Sequence, residues 1–515
     1  MTGETSRVEW SHLGRSGSPS PEAHSSAVEK RPSRLRRPEI VGLVGAASMA
    51  TGGSLARSPF VLERAGAWFF GSATVSPREG FEPLGVALSA AGFVLLSLAW
   101  FDLLARLRRS PGRRPVDLLP LAAAWVLPFL VVAPQLSHDP YLYAAQGQLL
   151  VTGHNPTQVG VAALPAAPYR RLVDPVWLRT PSPYGPLFTW LEGLAVVLAA
   201  HRVLWTVVLL RLEALAGVAL GAISLPSIAR SCGRDAASAV ALGGLSPLVV
   251  LYLLSPAHND ALMAGLVLAA VALASRGQHL AAVIVAGLAA AIKVPALGTT
   301  LFLGWTWPIA PAPRLRRAGA ALGSLGIGLA VLEVASLATG LGWHWVSALS
   351  VTVKGWNFLD PVDSLVTLLR GAGQVLGAQM PFATAFGEVS VVVATTGAVA
   401  CAWLLVRSDR LGLPAALGGS LLVAALAAPA LHVWYLSWGI MLLAGSVGSR
   451  GSFWLAWFAT VATLFGLPIP RTAEASALLA AAIAVATVTV LAQRRYTEHR
   501  RGRPAPEPAP LSPPA

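Results

Sequence analysis

The sequence predicts an all-α polytopic membrane protein. Of its 515 residues, 55% are hydrophobic and only 12% are charged, whereas a soluble globular domain carries about 25% charged residues. Long apolar runs alternate with short loops that hold clusters of arginine, which is the positive-inside pattern of a membrane protein. The net charge of +14 therefore indicates a cytoplasmic membrane face, and nucleic acid is not an expected partner.

About 12–14 transmembrane helices are predicted, because a spanning helix needs about 20 mostly apolar residues. Basic residues between positions 30 and 37 place the N-terminus in the cytoplasm. The first helix is predicted over 39–56 and the second over 84–105, which delivers the arginines at 106–114 to the cytoplasm. The third, over 117–135, returns to the outer face.

A long outer loop follows, over 136–202. Its apolar segment 187–199 is short, and we interpret it as a helix lying on the outer surface. The next span covers about 203–228, and a second long outer loop covers 341–384. If segment 187–199 crossed the membrane instead, the sidedness of everything downstream would reverse.

Both ends of the chain are predicted to be disordered cytoplasmic tails. Residues 1–37 are polar and lack the apolar core of a signal peptide, and residues 494–515 end in alternating proline and alanine. This leaves 38–493 as a multi-pass domain in the plasma membrane, with the lipid bilayer as its first partner.

The most informative polar pair is His138-Asp139, at the predicted outer end of the third helix. An Asp at the bilayer centre costs about 2.5–3.5 kcal/mol on insertion scales, so it is normally kept at an edge or given a partner. Because Pro140 follows, Asp139 could simply cap a short interfacial helix. The neighbouring imidazole favours a functional role instead. The same loop offers further hydrogen-bonding groups suited to a sugar, namely Tyr141, Tyr143, Gln146 and Tyr184.

A second polar group, His258-Asn259-Asp260, interrupts two apolar runs. Asp260 could cap the helix that starts at the next residue. Three polar residues exceed what a cap needs, however, and ionisable groups at membrane depth are functional candidates.

Two isolated cations are candidates for binding an anion. Lys293 follows a thirteen-residue apolar run and precedes a proline, so it is either a snorkelling lysine or a point charge for a phosphate. Arg211 lies inside a predicted span with Glu213. A spacing of two residues directs the two side chains to different helix faces, so each needs another partner.

The last polar group lies near the C-terminal end of the predicted domain. It contains His432, Tyr435 and Trp438. Aromatic residues at a membrane boundary commonly form an interfacial belt, and a ligand site is the alternative.

In this order, the groups resemble the motifs of one enzyme family, the polyprenol-phosphate-mannose-dependent α-1,6-mannosyltransferases of mycolic-acid bacteria and their relatives, over about residues 38–493. The motifs that carry the resemblance are His138-Asp139-Pro140-Tyr141, Gln146-Gly147, Pro183-Tyr184-Gly185-Pro186-Leu187, His258-Asn259-Asp260-Ala261-Leu262, Lys293-Val294-Pro295 and Trp434-Tyr435-Leu436-Ser437-Trp438. The resemblance implies a glycosyltransferase class C fold.

The resemblance also implies a catalytic acidic residue in the first outer loop, where Asp139 fits well. It implies as well a lipid-phosphate sugar donor that enters from the outer leaflet. Many members of the wider class have a paired acidic motif, whereas here the neighbour is His138, and Asp174 is a weaker candidate. We therefore expect no metal site and no cofactor.

The hypothesis is an inverting transfer of mannose from polyprenyl-phosphate-mannose to an α-1,6-mannan acceptor of the lipomannan or lipoarabinomannan type. Asp139 would be the general base, and His138, or His258 with Asp260, would orient the acceptor or tune the base. Lys293 and an arginine such as Arg211 would hold the phosphate. The residues expected to bind substrate are Tyr141, Tyr143, Gln146, Tyr184, Arg211, His258, Asn259, Asp260, Lys293, His432, Tyr435 and Trp438.

Two other functions stay open at this point. One is a transporter or flippase of a lipid-linked sugar, which would also use polar residues at broken helices but predicts an inverted repeat, for which we find no convincing sign. The other is an arabinofuranosyltransferase or protein O-mannosyltransferase with the same fold.

Overall fold

The computed structural model describes residues 36–55, 82–165, 168–307, 312–349, 360–377, 381–428 and 430–467, all within the unit Leu35–Ala515. Residues 468–493 of the predicted membrane domain and most of both predicted tails lie outside these residues. The predicted division of the chain into two tails and one membrane domain therefore stays a prediction.

Every regular element in these ranges is helical, which confirms the all-α class. The elements of the first half are α1 (Arg36–Leu55), α2 (Glu82–Arg109), α3 (Leu119–Val131), α4 (Asp139–Val151), α5 (Pro168–Arg171), α6 (Pro186–Leu198), α7 (Val203–Ser231), α8 (Ala236–Gly244), α9 (Pro247–Val249) and α10 (Asp260–Ala274). Those of the second half are α11 (His279–Ile292), α12 (Gly298–Thr306), α13 (Arg314–Thr339), α14 (Trp345–Ala348), α15 (Pro361–Val375), α16 (Phe382–Val406), α17 (Ser408–Leu411), α18 (Leu413–Leu426), α19 (Leu436–Leu443) and α20 (Ser449–Phe465).

Within the described ranges, fewer helices reach full spanning length than the predicted 12–14. Four are long and apolar enough to cross a membrane, namely α2, α7, α13 and α16, and α8 continues across a 44° bend into a fifth candidate that ends at Leu254. Six more apolar helices have only 10–17 residues, below the roughly 20 that a span needs. Proline and glycine breaks explain the difference, as at Pro295 and Gly298 between α11 and α12. The glycosyltransferase class C fold stays a prediction.

The first predicted outer loop is well ordered into helices. The surface segment predicted at 187–199 is α6, and its thirteen residues are too few to cross a bilayer. The stretch from Asp139 also forms a helix, α4, which packs closely against α6: a Cβ placed on Gly147 would lie 2.3 Å from the Glu192 carbonyl oxygen. The second predicted outer loop contains α14 and α15, which the sequence interpretation did not include.

One end of the helix bundle, which we call the basic end, collects arginine-bearing termini. Arg108 at the end of α2 donates to the Ser449 carbonyl at the start of α20 (3.2 Å). Arg234, just after α7, donates to the Ser446 carbonyl beyond α19 (3.2 Å). These termini therefore share one face, as the positive-inside pattern predicts for a cytoplasmic side.

Polar side chains tie the apolar helices together through backbone carbonyls. The Trp100 indole N–H donates to the Ala241 carbonyl (2.7 Å), joining α2 to α8. The Gln135 amide after α3 donates to the Ala50 carbonyl of α1 (2.7 Å). Without water, a buried N–H must find such an acceptor within the protein.

Helices α7 and α10 cross at their closest approach through glycine. A Cβ placed on Gly265 would lie 2.2 Å from the carbonyl oxygen of Gly217. Small residues let helix backbones approach closely in membranes. This contact fixes α10, whose first residue is Asp260, against the long helix α7.

We predict that Gly265→Ala weakens this crossing, lowering the free energy of unfolding by about 1–3 kcal/mol, as overpacking typically does. The matched control is Gly323→Ala in α13, where an added Cβ meets no atom within 4 Å and helix propensity should add up to about 1 kcal/mol. Reversible unfolding in mixed micelles measures both. Equal stability of the two variants would contradict the close crossing.

Candidate active site

A cavity of about 320 Å³ lies at the end of the bundle away from the basic end, and we call it the acidic-basic cavity after Asp139 and Lys293, which both line it. Five chain segments that are distant in sequence form its wall: α4, the loop before α6, the break between α11 and α12, the end of α14, and the segment from α18 to α19. Its polar and aromatic lining consists of Asp139, Gln146, Trp177, Thr180, Tyr184, Lys293, His432, Trp434, Tyr435 and Trp438.

Asp139 is the first residue of α4, and proline at the next position suits a helix start. The residue at the cap position is His138, whose side chain makes no capping hydrogen bond. Ser137 Oγ accepts from the Asp139 amide (3.1 Å). The Asp139 carboxylate is therefore available for other contacts, and the interpretation of Asp139 as a simple cap residue is not what the structure shows.

The Asp139 carboxylate contacts a tyrosine and a histidine. The Tyr143 hydroxyl donates to Oδ2 (3.3 Å), and His258 Nε2 lies 3.4 Å from the same oxygen. Burial raises the pKa of Asp139, but the hydrogen bond and charge of His258, with smaller contributions from His432 and Ser137, outweigh it and lower the pKa to about 2. Asp139 is therefore ionised across the physiological range.

His258 is held rigidly behind Asp139. Its ring is fully buried, its Nδ1 hydrogen-bonds the Tyr252 carbonyl oxygen, and it stacks on Trp434 with 3.9 Å between ring centroids. A carbonyl oxygen can only accept a hydrogen bond, so Nδ1 carries a proton, and Nε2 faces the Asp139 carboxylate. The residue before His258, Ala257, has φ +54°, a conformation that non-glycine residues adopt at a cost and that clusters at functional sites.

His138 faces a different acid from the one beside it in sequence. Its Nδ1 lies 3.6 Å from the Asp174 carboxylate, so the two acidic candidates of the first loop have separate histidines. Leu136, two residues earlier, has φ +69°. His138 therefore braces the loop in front of α4, and an effect on Asp139 would pass through the backbone.

Lys293 and Asp260 form a buried ion pair. The ammonium lies 2.8 and 2.9 Å from the two carboxylate oxygens, and the Trp438 indole N–H donates to Oδ1 (2.6 Å). Asp260 is fully buried, while 12% of the Lys293 side chain stays exposed. The His258-Asn259-Asp260 group and Lys293 are thus one structural unit.

Aromatic rings surround the Lys293 ammonium. The ring centroids of Tyr435, Trp438 and Tyr184 lie 4.3, 5.5 and 5.8 Å from Nζ, all within the range of cation–π attraction. Tyr435 also stacks on Trp438. The aromatic group near residue 435 therefore holds the lysine of the site, beyond any part in an interfacial belt.

His432 completes the cavity wall beside Asp139. It stacks on Trp434 with 4.5 Å between centroids, so Trp434 lies between His432 and His258. Burial lowers the pKa of His432 to about 4, against the charge of Asp139, which raises it. At neutral pH this imidazole is uncharged, so it can both donate and accept hydrogen bonds.

The cavity lining contains seven of the fourteen expected site residues and leaves out His138, Tyr141, Tyr143, Arg211, His258, Asn259 and Asp260. Of these seven, Tyr143, His258 and Asp260 each contact a lining residue. The Arg211 guanidinium donates to the carbonyl oxygens of Ser255 (2.7 Å) and Val132 (2.6 Å), so it joins α7 to the end of α3. The expectation that it holds a phosphate stays a prediction. Tyr141 is buried in α4, near Arg211. Asn259 is buried, and its side-chain amide has no hydrogen-bond partner among the described residues.

Sequence reasoning missed several contributors. Trp177 and Thr180 line the cavity from the loop before α6, and Trp434 separates the two histidines. Proximity to the quoted Pro183-Tyr184 motif was the available signal for the first two. Glu192 of α6 was also missed: it is fully buried, and neither carboxylate oxygen has a hydrogen-bond partner in the described part of the chain.

Comparisons with known proteins identify one family of similar proteins. A family profile described as "Alpha-(1->6)-mannopyranosyltransferase, N-terminal domain" matches residues 39–309. A Mycolicibacterium smegmatis protein named "Probable alpha-(1->6)-mannopyranosyltransferase" is 31% identical over 93% of this chain and 91% of its own length. Alpha-(1->6)-mannopyranosyltransferase A of Mycobacterium tuberculosis is 31% identical over 71% and 73%, and that of Corynebacterium glutamicum is 26% identical over 56% and 62%. No solved structure matches the chain.

The low pKa of Asp139 predicts a pH-dependent contribution to stability. A depressed carboxyl pKa stabilises the fold above the unfolded pKa of about 4, and this stability is lost as the pH falls toward about 2. When the pH falls from 5 to 2, the unaltered chain should lose about 2 kcal/mol more of its free energy of unfolding than the Asp139→Asn variant does. Unfolding titrations across this range measure it, and a constant difference would contradict the His258–Asp139 contact.

Proposed function

Since the chain belongs to the alpha-(1->6)-mannopyranosyltransferase family and is therefore a hexosyltransferase, we propose that it transfers mannose from polyprenyl-phosphate-mannose to the 6-hydroxyl of an α-1,6-mannan acceptor. One observation carries this proposal: a carboxylate, Asp139, and an ammonium, Lys293, line the same cavity. Such a cavity offers a base for the hydroxyl and a cation for the phosphate.

The leaving phosphate needs positive charge rather than an acid, because it departs as a stable anion. An ammonium has three N–H donors, and Asp260 occupies two directions of Lys293. The remaining donor is available to the cavity. The Trp438 N–H also donates a hydrogen bond to the Asp260 carboxylate and stabilises part of its negative charge. Asp260 therefore positions the Lys293 ammonium without neutralising its charge completely. The site thus places a cation where negative charge develops.

The acceptor hydroxyl needs a proton acceptor on the opposite side of the sugar ring from the phosphate, as inverting transfer requires. Asp139 supplies it. A carboxylate with a low pKa is a weak base, but the hydroxyl becomes acidic as its oxygen bonds to an electron-poor sugar carbon, and the ionised carboxylate also stabilises that carbon. Tyr143 and His258 fix the carboxylate in place.

The lipid chain of the donor requires an apolar path into the cavity. Apolar residues from four segments line the cavity, namely Leu142, Val294, Ala348, Leu349, Ala424 and Ala428. The aromatic rings of Tyr184 and Trp434 in the same lining suit a sugar ring. This combination of apolar and polar lining supports a lipid-linked sugar as the donor.

The proposed orientation puts the cavity on the outer face of the plasma membrane. The basic end of the bundle holds Arg108 in the last turn of α2 and Arg234 just after the end of α7. Basic residues favour the cytoplasmic side. An outer-face cavity has access to lipid-linked sugars and to a lipomannan-type acceptor, and it is separated from cytoplasmic nucleotide sugars.

We predict that Asp139→Asn lowers turnover about 10²- to 10⁴-fold, which is the usual contribution of general-base catalysis. The assay uses membranes with radiolabelled polyprenyl-phosphate-mannose and a short α-1,6-mannoside. The matched control is Asp117→Asn at the basic end, where Asp117 pairs with Arg114 (3.2 Å), and it should keep normal turnover.

Each outcome of this assay separates one function from the others. Transfer that depends on Asp139 supports the mannosyltransferase. Near-normal transfer by Asp139→Asn refutes the base. Movement of the labelled lipid without a glycosidic product would favour a flippase, and transfer from an arabinofuranosyl donor or to a peptide would favour the related enzymes.

A second prediction concerns Lys293. Lys293→Met alone should lower the free energy of unfolding by about 3–5 kcal/mol, because it leaves the buried Asp260 charge unpaired. The double variant Lys293→Met/Asp260→Asn removes both charges, so it should regain most of this stability while turnover stays about 10²- to 10³-fold low. Unfolding and transfer are measured on the same preparations, and normal turnover in the double variant would remove Lys293 from the phosphate site.

A further inference from the structure

A second cavity, of about 450 Å³, lies where α12 ends and α13 begins, and we call it the arginine cavity. Its volume falls within the range of about 300–1,000 Å³ typical of ligand pockets. Four guanidiniums line it, from Arg314, Arg317, Arg407 and Arg410. Nothing in the transfer reaction described above uses them.

The arginine cavity carries a strong positive charge. Asp409 is the one carboxylate among its lining residues, so four positive charges and one negative charge leave a net +3. Within the described ranges, no ion pair engages any of these four arginines. The cavity also receives the N-terminus of α13, a helix of 26 residues, whose dipole adds positive potential.

A buried hydrogen-bond donor in the wall of the arginine cavity favours a ligand with acceptor oxygens. Trp305, at the end of α12, lines the cavity and is only 8% exposed. Its indole N–H is buried and has no acceptor among the described residues. Buried N–H groups nearly always find a partner, and the other lining groups that could pair with it are mostly donors. An anion with several acceptor oxygens would satisfy the indole and the guanidiniums together.

The arginine cavity lies at the basic end, away from the acidic-basic cavity. Arg410, which lines the arginine cavity, lies just before the first residue of α18. Gly418, in the first half of α18, packs against Leu443 at the end of α19, next to the Arg234–Ser446 contact of the basic end. The other end of α18 reaches the acidic-basic cavity at Ala424. The two cavities thus lie at opposite ends of this helix.

We propose that the arginine cavity binds the phosphate of an anionic phospholipid from the cytoplasmic leaflet. Guanidinium forks match phosphate oxygens in geometry and charge, and basic pockets between helices on the cytoplasmic side of membrane proteins take such headgroups. The exposed apolar residues beside the cavity, Trp307, Leu315 and Trp403, suit the adjoining acyl chains. The bound lipid joins the start of α13 to the junction of α16 and α17.

The test uses the purified, delipidated full chain and measures binding of phosphatidylglycerol by native mass spectrometry, with phosphatidylcholine and inorganic phosphate as the other probes. The unaltered chain should retain phosphatidylglycerol in preference to phosphatidylcholine. Arg317→Ala/Arg410→Ala should bind it about 25-fold more weakly, at about fivefold for each arginine. Trp305→Phe keeps the ring and loses the N–H, so it should weaken binding severalfold.

The matched control is Arg230→Ala/Arg450→Ala, which removes the same charge from exposed positions outside the cavity. It should bind phosphatidylglycerol like the unaltered chain. Equal binding by the two double variants would overturn the proposal, as would equal retention of phosphatidylcholine. Displacement of phosphatidylglycerol by inorganic phosphate at similar concentration would overturn the lipid as the source of the phosphate. If the arginine variant fails to fold, normal binding by a folded Trp305→Phe variant overturns the proposal on its own.

Discussion

The buried ion pair between Lys293 and Asp260 is the contact on which the rest of the site depends. Neither charge would be tolerated at this depth alone, since an unpaired buried ion costs several kcal/mol. The pair joins the start of α10 to the break after α11, and Trp438 adds α19 through its hydrogen bond to Asp260. Two residues before Asp260, His258 reaches Asp139 on α4. One short polar segment therefore positions both the carboxylate and the ammonium of the cavity.

The membrane explains why polar side chains of the site also join helices. In an apolar surrounding an unpaired donor or acceptor is costly, so side chains that serve the site also hold helices together. Arg211 is an example: it is charged and buried, and it donates hydrogen bonds to carbonyl oxygens at the end of α3 and before α10. A charged residue inside a span is a functional candidate, and the contacts of Arg211 also join helices.

The sequence predicted much of the fold and the site, for physical reasons that differ between residues. The apolar runs predicted an all-α membrane protein, and the order of the polar motifs predicted which segments meet in the cavity, as Asp139, Lys293 and Tyr435 do. In the described part of the chain, fewer helices reach spanning length than the predicted 12–14, because proline and glycine interrupt the apolar runs. The sequence did not show which charged groups lie next to each other. His138 contacts Asp174 and His258 contacts Asp139, and these contacts depend on how segments distant in sequence pack.

The central claim is that one cavity holds the donor phosphate at Lys293 and the acceptor hydroxyl at Asp139. An experimental structure with an unreactive phosphonate analogue of polyprenyl-phosphate-mannose tests it most directly. The account predicts a phosphonate oxygen about 2.7–3.2 Å from Lys293 Nζ, with the Asp139 carboxylate facing the sugar carbon from the opposite side. A phosphonate bound away from Lys293, or a sugar whose reacting carbon is turned away from Asp139, would contradict it.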